Sequence, residues 1–238
     1  MPEEASGFDV AHVAGLLARD AEAAADVVLS AAHAGDIEAQ ALFAQMRIEG
    51  KGIERDAVDA LHWYSLAANS GHVLAMNMLG RCHELGTGTP PNDELAAAWY
   101  RKAARHGLDW GMYNFAHLLA TGRGVKQDRA QAFLWYRRAA ELGHAKSMNF
   151  VGRFYEEGWD VETDREAAFD WYRRSAEGGD FRGQASYAAA LIDRGRVDEA
   201  LTWLRLALAS GTPAFLQKLH DEIAMSPHTS VRALAPSA

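Results

Sequence analysis

One cysteine, Cys82, stands in a chain of 238 residues. No disulfide can close within it, so packing must hold the fold, and a secreted disulfide framework is excluded. No block of lysine and arginine is present, and the formal net charge is −8. A basic stripe for nucleic acid is therefore missing. No apolar run is long enough to cross a membrane as a helix. The opening stretch "MPEEASGFDVAHV" is acidic and lacks the basic and apolar regions of a secretory leader. These absences predict a cytoplasmic protein, with the periplasm as the alternative where a leader has been removed.

Catalytic signatures are equally scarce. The triplets Gly86-Thr87-Gly88 and Gly122-Arg123-Gly124 do not continue into the lysine or third glycine of a phosphate loop, and neither follows a strand. His83-Glu84 has no second histidine at the spacing of a zinc-protease helix. No G-x-S-x-G elbow occurs. The ten histidines are scattered, which favours structural or solvated roles. Cys82 falls on the core side of its segment, where a free thiol packs as a small hydrophobe. No catalytic residue, metal or cofactor is expected, and the protein is not expected to be an enzyme.

What the chain has is a globular composition, 49% apolar and 24% charged, and a strict rhythm. The pairs Trp63-Tyr64, Trp99-Tyr100, Trp135-Tyr136 and Trp171-Tyr172 recur every 36 residues, and Trp203-Leu204 follows after 32. Gly35, Gly71, Gly107, Gly143, Gly179 and Gly211 keep nearly the same time. A fixed period of this length is the mark of a repeat architecture. Around each pair, Ala, Trp, Tyr, Ala, Ala fall at i, i+3, i+4, i+7 and i+8, one face of an α-helix. Asp56, Asn92, Asp128 and Asp164 stand where such helices need N-caps, and the closing glycines suit left-handed C-terminal caps. The aromatic stripe is expected to be core.

The first half of each unit reads as a second helix. A large apolar residue recurs at Phe43, Leu79, Phe115, Val151 and Tyr187, followed by Ala44, Gly80, Ala116, Gly152 and Ala188. Glycine inside a helix costs about 1 kcal/mol against alanine, so Gly80 and Gly152 predict close helix contact. Gly50, Gly86, Gly122 and Gly158 end this helix, and Pro90-Pro91 falls in the loop that follows. Each unit is thus an antiparallel helix pair.

The period and these positions resemble the Sel-1-like repeat family, a relative of the tetratricopeptide repeats. Phe115-Ala116, Gly122, Gly124-Val125, Asp128, Ala132, Trp135-Tyr136, Ala139-Ala140 and Gly143 carry the resemblance in the third repeat. The fourth departs at Asp160, where the second loop glycine would stand, and the last full repeat lacks four loop residues and has Leu204 for tyrosine. The resemblance spans about residues 8 to 211. It implies an all-α, right-handed superhelical α/α solenoid of about five 36-residue helix-turn-helix repeats plus capping helices. The expected layout is a flexible N-terminus over 1–7, a single solenoid over 8–225 and a loose C-terminal tail over 226–238. Repeats are placed at 8–35, 36–71, 72–107, 108–143, 144–179 and 180–211, with a closing helix over 212–225 led by Pro213.

Function is then sought at positions the repeat leaves free. The resemblance implies that first helices line a concave surface, the face solenoids generally use for binding. Helical spacing puts Leu74, Asn77, Arg81 and Glu84 on that face in the second repeat. Trp110, Tyr113 and His117 follow in the third, Lys146, Asn149, Arg153 and Glu156 in the fourth, and Arg182 in the fifth. Asparagine and arginine can grip a peptide's backbone and carboxylates, and Trp110 and Tyr113 are anchor types enriched at hot spots. The expected partner is another protein or peptide, an acidic one among the candidates, bound by a monomer or weak dimer acting as adaptor, scaffold or regulator. An immunity protein that neutralises a toxic bacterial effector is the alternative, and a cell-wall or β-lactam hydrolase a more remote one. Alanine-rich composition and the family's distribution point to a bacterial source.

Overall fold

The computed structural model describes residues 8–235. The segment 1–7, expected to be flexible, and positions 236–238 lie outside the described residues. Fourteen α-helices and no strand occur among the described residues. The chain divides into two compact units, Met1–Gln127 and Asp128–Ala238, with the boundary inside the repeat expected over 108–143. The first unit carries α1 (Val10–Leu17), α2 (Ala21–His33), α3 (Ile37–Glu49), α4 (Ala57–Asn69), α5 (Val73–Leu85), α6 (Asp93–Arg105) and α7 (Asp109–Thr121). The second carries α8 (Arg129–Glu141), α9 (Ala145–Glu157), α10 (Arg165–Glu177), α11 (Phe181–Asp193), α12 (Val197–Ser210), α13 (Pro213–Ala224) and α14 (Thr229–Arg232). Helix pairs stack within each unit: α3 on α4 and α5 on α6 in the first, α9 on α10 and α11 on α12 in the second. This is the α/α solenoid architecture that the rhythm predicts.

Local chemistry starts and stops these helices. Asp56, Asn92, Asp128 and Asp164 are the N-caps of α4, α6, α8 and α10, and each side chain accepts from backbone N–H groups of the first turn. Such a cap contributes about 1 kcal/mol. Gly50, Gly86, Gly122 and Gly158 close α3, α5, α7 and α9 in the left-handed conformation. The glycine two residues on does more. At Gly124, with φ of 64°, a Cβ would stand 2.0 Å from the carbonyl oxygen of Asp93. The loop after α7 therefore lies directly on the first turn of α6, and only a residue without a side chain fits there.

The tyrosines form the heart of the repeat. Tyr64, Tyr100, Tyr136 and Tyr172 are all at most 2% exposed. Gly80 and Gly152 exist for them: a Cβ on Gly80 would sit 2.7 Å from the Tyr100 ring, and one on Gly152 2.6 Å from the Tyr172 ring. Buried hydroxyls need partners. Tyr64 donates to Gln45 at 2.5 Å, Tyr100 to Glu84 at 2.7 Å and Tyr172 to Glu156 at 2.6 Å. Burial, helped by the facing carboxylate, pushes the Tyr100 and Tyr172 hydroxyls well above the usual phenol range.

The tryptophans depart from the expected core stripe. Trp63 is buried, ringed by His33, Phe43 and His62 at 5.1, 5.4 and 5.9 Å. Trp99, Trp135 and Trp171 are only half-buried. Their outer faces are covered by a cation three residues on: Lys102 at 3.8 Å, Arg138 at 5.6 Å and Arg174 at 4.0 Å from the ring centres. Leu66 takes that position after Trp63. Trp thus sits at the edge of the apolar stripe, one residue from the tyrosine at its centre.

The tail needs correction as well. Residues 226–235 are not loose: α14 packs on α12 and α13, Val231 is 2% exposed, and Arg232 donates to the Ser226 carbonyl at 2.6 Å. A buried valine on a single helical turn lay below what helical periodicity can detect.

Candidate functional site

In the first unit, the outward face of α3, α5 and α7 gathers most of the expected binding residues. A pocket of about 350 Å³ opens between α3 and α5. Ala41, Leu42, Leu74 and Met78 form its apolar walls, and Phe8 and Val10 join them from the start of the chain. Leu74 is 58% exposed and Val10 53%. Gln45, Asn77 and the hydroxyl-bearing Tyr64 supply polar lining. His72 and Glu38 also line it. His72 caps α5: Nδ1 accepts from the Ala75 N–H at 3.0 Å, and Nε2 lies 3.1 Å from the Glu38 carboxylate. An Nδ1 that accepts leaves the proton on Nε2, so Nε2 donates to Glu38. His144 repeats this cap at α9 through Ser147. A histidine straight after the closing glycine was the available sequence signal for both caps; the scattered count hid it.

The other residues of that face divide by burial. Asn77 is 7% exposed, and its carbonyl oxygen accepts from the Asn114 side-chain amide at 2.9 Å. It joins α5 to α7 through its acceptor. Arg81 is exposed. Glu84 is engaged twice, by the Tyr100 hydroxyl at 2.7 Å and by Arg123 at 3.1 Å, while Arg123 also grips Asp93 at 2.8 Å. His117 is half-buried; burial lowers its pKa, with Glu84 opposing and Arg123 reinforcing. Trp110 is 44% exposed and meets Tyr113 edge to face at 6.2 Å.

The second unit holds the remaining expected residues. Asn149 is 4% exposed and so, like Asn77, lies inside the helix packing. Lys146 and Arg182 both act on Asp180, the buried N-cap of α11, whose carboxyl burial pushes up and these cations pull down. The Arg153 guanidinium lies 5.1 Å from the Trp159 ring and that of Arg182 4.5 Å from the Phe181 ring. Glu156 accepts from Tyr172 at 2.6 Å. The two asparagines and two glutamates thus also serve the fold. Spacing puts them on one side of the helix, but it does not say which neighbour covers that side.

Cys82 is 3% exposed, and burial pushes its thiol up to about 11, the state of a packing residue rather than a nucleophile. Among the described residues no group of His, Cys, Asp and Glu could hold a metal, and no helix is long and apolar enough to cross a membrane.

Stacked helix pairs with repeated caps, buried tyrosines and loop glycines define an α/α repeat protein. The Sel1 repeat family model matches residues 37–72, 73–108, 111–144 and 145–180, more than half of the chain, and the chain belongs to the Sel1 repeat family. A Sel1 repeat protein from Oxalobacter formigenes is 27% identical, with a TM-score of 0.81 over 94% of this chain and 96% of that one. A protective antigen of uropathogenic Escherichia coli strains, which displays the same fold, is 31% identical with a TM-score of 0.73; the match covers 85% of this chain and 44% of the antigen. An immunity protein from Pseudomonas aeruginosa shares the fold at 15% identity and a TM-score of 0.54, over 82% of this chain and 74% of that one. A comparison with curated protein sequences returned no match. Sel1 repeat proteins are generally protein–protein interaction modules.

Proposed function

We propose that this chain is a protein–protein interaction module that takes an apolar side chain of its partner into the pocket between α3 and α5. Trp110, Tyr113 and Arg81 extend the contact along α5 and α7. The observation that carries this reading is the lining itself: Leu74 and Val10, more than half exposed, border a concavity of about 350 Å³. Exposed apolar groups gathered around a concavity mark interaction sites. Arg81 beside this lining suits an acidic group on the partner. Soluble function as a cytoplasmic adaptor, scaffold or regulator fits this surface. A neutralising role against a toxic effector is the second reading, favoured by the immunity protein that shares the fold.

A photo-crosslinking amino acid at position 74, beside one at position 134, tests the surface in a lysate of the source cells. Leu134 is 56% exposed on α8 and lies outside the row. The reading expects protein adducts from position 74 alone. Equal adducts from both positions, or none from 74, would sink it. One partner held much more tightly than any other would select the neutralising role.

A further inference from the structure

A second pocket, of about 360 Å³, lies in the second unit against the first turns of α10. Its walls come from Arg165, Glu166 and Phe169 on α10, Glu156 on α9, and Asp193 and Arg194 at the end of α11. Nothing in the repeat pattern calls for a pocket there. In the first unit the corresponding place is filled. The loop after α7, residues 122–128, lies on the first turn of α6, with Gly124 against the Asp93 carbonyl. Arg123 from that loop bridges Glu84 at 3.1 Å and Asp93 at 2.8 Å. The loop after α5 does the same on α4, where a Cβ on Gly88 would stand 2.1 Å from the Ala57 carbonyl oxygen.

The loop after α11 is too short to do this. It runs only over 194–196, against 158–164 after α9 and 122–128 after α7. Gly195 has nothing within 4 Å of a built Cβ. Arg194 turns back over Phe169 at 4.0 Å and pairs with Glu166 at 2.7 Å. The guanidinium that Glu84 meets has no counterpart at Glu156, which is exposed and accepts from Tyr172. The four missing loop residues have left Glu156, the counterpart of Glu84, in place, while Arg165 stands where Asp93 does.

We propose that this berth is a docking site for a partner segment of the form basic–glycine–β-branched, the chemistry of Arg123-Gly124-Val125 in this chain. The basic side chain pairs with Glu156, the glycine approaches the first turn of α10, and the β-branched residue lies beside Phe169, whose face Arg194 covers. The molecule itself supplies the template for the occupant, and the charge on Glu156 is complementary to it. This site stands apart from the α3/α5 pocket, so either can fail without the other.

The probe is the capped hexapeptide Gly-Arg-Gly-Val-Lys-Gln, the sequence of residues 122–127, titrated into the full chain and followed by amide chemical shifts. The expected result is saturable shifts centred on Glu156, Glu166, Phe169 and Arg194. Glu156→Gln should weaken binding about threefold to fivefold, the range of one exposed ion pair, and arginine-to-alanine in the peptide should weaken it equally. A chain in which residues 194–196 are replaced by the sequence of 122–128 fills its own berth and should not bind. Shifts of the same size with the reversed peptide, shifts centred elsewhere, or full affinity in Glu156→Gln would overturn the proposal. Glu156→Gln keeps an acceptor for Tyr172, so it carries the test even if the lengthened chain does not fold.

Discussion

The first turns of α6 and α10 are equivalent places in the repeat, and they have different fates. Over α6, a seven-residue connection brings Gly124 onto the Asp93 carbonyl and Arg123 between Asp93 and Glu84. Over α10, where Arg165 replaces Asp93, the connection is 194–196, and only Arg194 reaches back over Phe169 beside a pocket of about 360 Å³. Below both, the same tyrosine–glycine–carboxylate unit is intact: Tyr100 with Gly80 and Glu84, Tyr172 with Gly152 and Glu156. The comparison separates two layers of the repeat. The tyrosine unit holds helices together in both places, whereas the loop seals the surface in only one of them.

The largest effects should therefore be shared by both places. Tyr100→Ala and Tyr172→Ala should each cost about 3–5 kcal/mol in chemical denaturation, the range for deleting a buried aromatic ring. A much smaller loss at Tyr172 would show that the open end has loosened its core. Next comes the loop. Gly124→Ala combines a left-handed backbone with a backbone collision and should cost about 2–4 kcal/mol. Gly195→Ala meets only the strain of its φ of 73° and should cost about 1 kcal/mol. Equal losses at the two glycines would break the comparison.

Trp135→Ala should cost about 1–2 kcal/mol, since the ring is only half-buried and loses correspondingly less transfer energy. Arg123→Ala should lower stability by at most about 1 kcal/mol, because its side chain is 42% exposed and solvent screens both ion pairs. The smallest effect is a pH slope. Burial holds His117 below its ordinary value of 6.5, so the unfolded chain binds this proton more readily. Stability from the neutral imidazole is present above about pH 6.5 and is lost as the pH falls below it. His117→Gln should shallow the fall in melting temperature between pH 7.5 and 5.5, and His83, shifted the same way by burial, should leave a residual slope.

Much of this was legible in the residues themselves. A 36-residue period with capping acids and closing glycines determines helix pairs, and Gly80 and Gly152 announce the close approach that the tyrosine rings make. Of the proposed binding face, only a direction was legible. Leu74, Arg81 and Trp110 are exposed on it, whereas Asn77 and Asn149 are covered by neighbouring helices that helical spacing does not encode. Trp135 looked like core because it adjoins Tyr136, yet one position around a helix is 100°, enough to move a ring to the edge. The missing loop residues after Asp193 were visible as a gap. That the gap uncovers α10 follows only once the loop is seen lying on the preceding helix pair.

The most direct test of the account is a pull-down with the Leu74→Glu/Trp110→Ala chain beside the wild type, with melting curves for both and partners quantified by mass spectrometry. The account predicts matching melting curves and a partner recovered by the wild type but lost by the variant. Equal recovery of the same partners, or an unfolded variant, would contradict the claim that the positions the repeat leaves free carry the binding.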